Sequence, residues 1–116
     1  MGKLTTHVLD TAAGRPAAGV KFELIRADAV QQVVASGVTN ADGRCDKPLL
    51  EGPDLVRGEY QLRFHVADYF RGRGTVLPEP PFLSVVVLQF GIADAGAHYH
   101  VPLLVSPWSY STYRGS

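Results

Sequence analysis

The sequence predicts an all-β fold, an antiparallel β-sandwich of seven to eight short strands with one short helix. Apolar and polar residues alternate in several short runs with the two-residue period of half-buried strands, and Gly, Pro, Asn and Asp cluster between the runs. Only one stretch reads as a helix, and neither an internal repeat nor a low-complexity linker interrupts the pattern. A closed barrel is the structural alternative.

Leu4 to Leu9 is β-branched and apolar, contains His7, and runs into the turn-forming Asp10-Thr11-Ala12-Ala13-Gly14-Arg15-Pro16. Val20 to Arg26 alternates, with Val20, Phe22 and Leu24 on one face and Lys21 and Glu23 on the other. Gln32 to Val38 is its expected partner, followed by the turn Asn40-Ala41-Asp42-Gly43, in which Gly43 can take a positive φ. Arg44 and Cys45 leave that turn. Glu51-Gly52-Pro53 breaks the chain before Glu59 to Val66, where Tyr60, Leu62, Phe64 and Val66 point inward. A helix is expected from about Val66 to Arg73, stopped at Gly74. Pro78, Pro80 and Pro81 force a loop, and the apolar run Val85 to Phe90 predicts a strand buried on both faces. After the turn Asp94-Ala95-Gly96, the run from His98 to Val105 closes the order of strands.

At 116 residues the chain reads as one domain spanning 1–116, large enough for a core yet small enough for an oligomer interface to add burial. Eleven basic and eleven acidic residues cancel, which argues against nucleic acid or an anionic membrane as partner. One cysteine excludes an intramolecular disulfide framework and suits a reducing compartment. The N-terminus lacks the apolar stretch of a signal peptide and no run is long enough to span a membrane, so the expected location is cytoplasmic.

The last nineteen residues are unusual. Terminal segments are ordinarily polar and frayed, whereas this one begins with His98-Tyr99-His100, continues through an apolar run and ends in Trp108, Tyr110, Tyr113 and Arg114. Such a tail is expected to be tied into the structure, with Trp108 as an apolar anchor. In an extended strand His98, His100, Pro102 and Leu104 share one face, and Tyr99, Val101, Leu103 and Val105 form an apolar opposite face. The two imidazoles would stand roughly 6.6 Å apart along the strand, within reach of one pocket.

Four groups can carry chemistry: His7, Arg44, the His98/His100 pair and Tyr113-Arg114-Gly115-Ser116. Three readings stand open. His-x-His with a third histidine can hold zinc, although no carboxylate or thiol clusters with these residues in sequence and an arginine in the same pocket would repel the cation. A purely structural role is the second reading. Metal-free hydrolysis is the third: a neutral imidazole takes a proton from water while a guanidinium stabilises the oxyanion formed at a carbonyl. No Gly-Xaa-Ser-Xaa-Gly elbow is present and Cys45 has no nucleophile motif, so activated water is favoured over a covalent intermediate.

Leu4-Thr5-Thr6-His7-Val8-Leu9-Asp10, followed by Gly14-Arg15-Pro16-Ala17, resembles the opening of the transthyretin-related 5-hydroxyisourate hydrolases. The likeness recurs at Asp42-Gly43-Arg44, at Ala67-Asp68-Tyr69-Phe70, at His98-Tyr99-His100-Val101-Pro102-Leu103-Leu104 and at Tyr110-Ser111-Thr112-Tyr113-Arg114-Gly115-Ser116, the ending that separates these hydrolases from hormone-carrying transthyretins. It covers the whole chain and is weaker from Glu79 to Leu88.

The resemblance implies a transthyretin-like sandwich assembled as a homotetramer with sites where dimers meet. It also implies hydrolytic opening of the six-membered ring of 5-hydroxyisourate, a product of urate oxidation, to 2-oxo-4-hydroxy-4-carboxy-5-ureidoimidazoline, with no cofactor and no metal. Carried over by motif, it assigns catalysis to His7, Arg44, His100, Tyr113 and Ser116. It assigns substrate binding to His7, Arg44, His98, Tyr113, Arg114 and Gly115. The alternative within the same fold is a carrier that binds a small aromatic ligand without turnover.

Overall fold

A computed structural model describes residues 1–28 and 30–116. In chain order the strands are β1 (Lys3–Thr5), β2 (Val8–Asp10), β3 (Arg15–Pro16), β4 (Lys21–Arg26), β5 (Gln32–Val38), β6 (Leu50–Glu51) and β7 (Gly58–His65). The helix α1 (Val66–Gly72) follows, then β8 (Val85–Ile92), β9 (His98–His100), β10 (Leu103–Val105) and β11 (Tyr110–Ser111). One layer is the antiparallel sheet β5-β4-β7-β8. The other comprises β6-β1-β9 and β11-β10-β2-β3, and the inner faces of both layers meet in one apolar core that includes Leu4, Val8, Leu24, Leu62, Phe64 and Leu103.

The alternating runs become strands as their pattern dictates. β4 and β5 pair over the predicted span, with Lys21 opposite Val38 and Arg26 opposite Gln32. In β7, Tyr60, Leu62 and Phe64 are buried, and the chain enters α1 at Val66. Gly74 takes φ +87° just beyond the helix, a conformation that residues with a Cβ avoid.

The second layer differs from expectation in two ways. β1 pairs with β9, and β2 with β10, in parallel rather than antiparallel register; alternation marks which face is buried but carries no strand direction. Each expected long strand is also bent into two, at Thr6-His7 and at Val101-Pro102. Counting each bent strand once leaves nine among the described residues, of which β3, β6 and β11 have two residues each.

The bends coincide and keep register, since Thr5 stands opposite His100 and Val8 opposite Leu103. The bonds Val101 N–H to the Thr5 carbonyl and Leu103 N–H to the His7 carbonyl, each 2.9 Å, carry the ladder across the break. The buried Thr6 hydroxyl donates to the Val101 carbonyl at 2.7 Å. Pro102 has no N–H to offer at this point.

Val85 to Phe90 is not buried on both faces. It belongs to the edge strand β8, where Val86 and Leu88 are buried while Val85 and Val87 are 40% and 42% exposed. A continuous apolar run here reflects an outer face that this single chain leaves uncovered.

Candidate functional site

The site forms on the outer face of the bent strand pair. Burial alternates without interruption from Lys3 to Asp10, so Leu4, Thr6, Val8 and Asp10 face the core while Thr5 and His7 face out. On the neighbouring strand Tyr99 and Val101 face the core, and His98 and His100 face out as the spacing predicts. Parallel register therefore sets His7 and His100 on one surface, two positions apart along the strand pair.

Arg44 reaches that surface through the turn before it. Gly43 adopts φ +73°, and a Cβ there would collide with the Val8 carbonyl oxygen, so only glycine permits the loop to dock. The Val8 N–H donates to the Gly43 carbonyl at 2.8 Å. Asn40 organises the turn: its side-chain oxygen accepts from the Asp42 and Arg44 N–H groups at 2.9 and 3.1 Å. His7 Nε2 then donates to the exposed Asp42 carbonyl at 2.9 Å. Arg44 has no ion-pair partner among the described residues.

His100 Nδ1 lies 2.8 Å from the Thr5 hydroxyl. Burial, and after it the Arg44 guanidinium, hold both His7 and His100 below the usual imidazole value, with His7 contributing further to the shift at His100. Both rings are thus neutral near pH 7 and available to accept a proton. A cavity of about 220 Å³ opens at Thr5 and Arg44, lined further by Lys3, Thr6, Cys45 and Lys47 among others. Among the described residues no three His, Cys, Asp or Glu side chains converge as a metal would need.

The tail is tied down by polar contacts rather than by its tryptophan. β11 pairs with β10, the Thr112 hydroxyl donates to the Pro102 carbonyl at 2.7 Å, and Gly115 exchanges two backbone hydrogen bonds with His100 at 2.7 and 3.1 Å. Trp108 is 60% exposed and stacks on the exposed Phe82, so it is not a buried anchor.

The structure brings His7, Arg44, His100 and Gly115 together. His98 is exposed and donates from Nε2 to the Met1 carbonyl at 3.2 Å. Arg114 donates to the His98 carbonyl at 3.1 Å, its guanidinium carbon 4.5 Å from the centre of the Tyr99 ring. Tyr113 and Arg114 line a different cleft of about 430 Å³ at the β8 edge, and Ser116 is exposed at the chain end. Thr5 and Asn40 are the site residues that sequence reasoning missed. Asn40 could be found from its place four residues before Arg44, but Thr5 only once the strand register is known.

This arrangement can be set against known proteins. A 5-hydroxyisourate hydrolase of Pseudomonas aeruginosa is 61% identical over 117 residues, spanning all of this chain and 93% of that protein. The crystal structure of an (S)-allantoin synthase superposes with a TM-score of 0.95 at 46% identity over 99% of this chain, which spans 44% of that longer protein. Sea bream transthyretin, solved in complex with thyroxine, superposes with a TM-score of 0.86 at 28% identity, covering 97% of this chain and 94% of that one. The model of the HIUase/Transthyretin family matches residues 4–115, a span that includes His7, Arg44, His100 and Gly115, and the chain belongs to that family.

Proposed function

We propose that this protein is a hydrolase of 5-hydroxyisourate, opening the six-membered ring to give 2-oxo-4-hydroxy-4-carboxy-5-ureidoimidazoline in the degradation of urate. The observation that carries the proposal is the meeting on a single face of two imidazoles, both shifted toward the neutral form, and one guanidinium that has no ion-pair partner among the described residues. The 61% identical hydrolase supplies the substrate.

In this mechanism an imidazole accepts a proton from water as its oxygen attacks the ring amide carbonyl. The C–O bond forms, and Arg44 donates to the oxyanion that replaces the carbonyl. Collapse of that intermediate breaks the C–N bond, the imidazolium returns its proton to the departing ring nitrogen, and the new carboxylic acid gives its remaining proton to solvent as the product leaves. Arg44 and His7 also bind the substrate oxygens, His100 is the second imidazole, and the backbone pairing of Gly115 with His100 brings the tail to the same ring. Tyr113, Arg114 and Ser116 act where a neighbouring subunit completes the wall, in a homotetramer with its sites between dimers. We assign the enzyme to the cytoplasm, where its single cysteine stays reduced.

The test is to mix the purified protein with freshly generated 5-hydroxyisourate and follow the ultraviolet absorbance against uncatalysed decay. Saturable acceleration supports the hydrolase. Stoichiometric binding without acceleration supports instead the carrier to which the thyroxine complex of the sea bream protein points.

A further inference from the structure

Each imidazole on the outer face has one ring nitrogen already engaged. His7 Nε2 faces the Asp42 carbonyl oxygen at 2.9 Å. A carbonyl can only accept, so this nitrogen carries the proton and neutral His7 presents an unprotonated Nδ1. His100 Nδ1 faces the Thr5 hydroxyl at 2.8 Å, and a hydroxyl can either give or take a hydrogen.

Two further observations decide between these. The nitrogen left over on His100 is Nε2, and the cation acting on this ring is Arg44. A guanidinium offers only donors, so Arg44 supplies no acceptor that would call for an N–H at Nε2. Thr5 also borders the 220 Å³ cavity, which gives its own hydroxyl hydrogen access to water. The hydroxyl is therefore free to accept.

We infer that Thr5 is a positioning residue: its hydroxyl accepts a hydrogen bond from His100 Nδ1–H and keeps Nε2 as the lone pair that can take a proton from water. Backbone pairing with Gly115 fixes where His100 sits, and Thr5, opposite it in register, fixes which nitrogen is presented. The inference rests on the hydrolase reading for what the lone pair does, while the tautomer itself stands apart from any activity.

The test reads the tautomer directly. In the ¹⁵N-labelled protein, well above the ordinary imidazole titration range, His100 should show a protonated Nδ1 and an unprotonated Nε2 by nitrogen chemical shifts. Thr5→Val removes the hydroxyl while keeping a β-branched strand residue, so the Nε2–H form that neutral histidine prefers in water should grow. Turnover should fall about tenfold in kcat with KM nearly unchanged, since the change touches proton transfer rather than binding. Thr5→Ser should restore both the spectrum and kcat. A protonated Nε2 in the wild-type protein, an unchanged spectrum in Thr5→Val, or a failure of Thr5→Ser to rescue would each overturn the assignment. If the wild-type spectrum is as expected but 5-hydroxyisourate is not turned over, the hydrolase reading fails and the role of Thr5 in setting the tautomer stands.

Discussion

Arg44 owes its position to two neighbours that are not catalytic, the Gly43 backbone and the Asn40 amide. A guanidinium presents a planar fork of donors that an ammonium cannot copy, so Arg44→Lys should lose on the order of 10²-fold in kcat despite keeping the charge. Near wild-type turnover in that variant would reduce Arg44 to a point charge. The same residue tunes pH dependence. Burial and then Arg44 lower the imidazoles of His7 and His100 from 6.5, so the neutral, proton-accepting forms persist above the lowered values and are lost as pH falls through them. Activity should be level around neutrality and fall on the acid side with an inflection below 6.5, and Arg44→Met should move that inflection upward. Stability follows the same sign: an unfolded chain takes up these protons first, so acidification below about 6.5 disfavours the fold.

The paired bend connects sequence to site at the scale of elements. Thr6 faces the core, and its hydroxyl holds the two bent strands together at the Val101 carbonyl. Thr6→Val should therefore lower stability by about 1–2 kcal/mol, read as a denaturation midpoint, through loss of a buried hydrogen bond. The tail yields the contrasting prediction. Tyr113 to Ser116 are mostly exposed, so deleting them should hardly shift the thermal midpoint, yet it removes the Gly115 bridge to His100 and should abolish most turnover. Full activity in the truncated chain would exclude the tail from the site. Much of this was legible in sequence. β4, β7 and α1 announce themselves because one buried face imposes a period, and Gly43 and Gly74 announce turns because they take positive φ. The two-residue strands β3, β6 and β11 have no period to read. The parallel direction of β1 and β9, and with it the contact between Thr5 and His100, arises from pairing across 95 residues, which local pattern cannot encode.

For the molecule as a whole, what single-chain geometry leaves unfinished is the β8 side. Among the described residues no strand pairs with the outer edge of β8, Val85 and Val87 on it are exposed, and Tyr110 and Tyr113 line the neighbouring 430 Å³ cleft. A long apolar edge strand invites another strand to pair with it unless something covers it. In the proposed tetramer that cover is another subunit, and Tyr113 and Arg114, which line the cleft beside β8, lie toward the surface it would occupy. Assembly and catalysis should then fail together. The wild-type protein should sediment as a multiple of its 12.5 kDa chain mass, and its specific activity should drop on dilution once subunits separate. Val87→Lys places a charge on the exposed side of the edge strand without entering the core. It should give a smaller species with an unchanged β-type circular dichroism spectrum and much reduced turnover. A Val87→Lys protein that keeps the wild-type mass would remove β8 from the interface, and one that dissociates while keeping full activity would show that each chain holds a complete site.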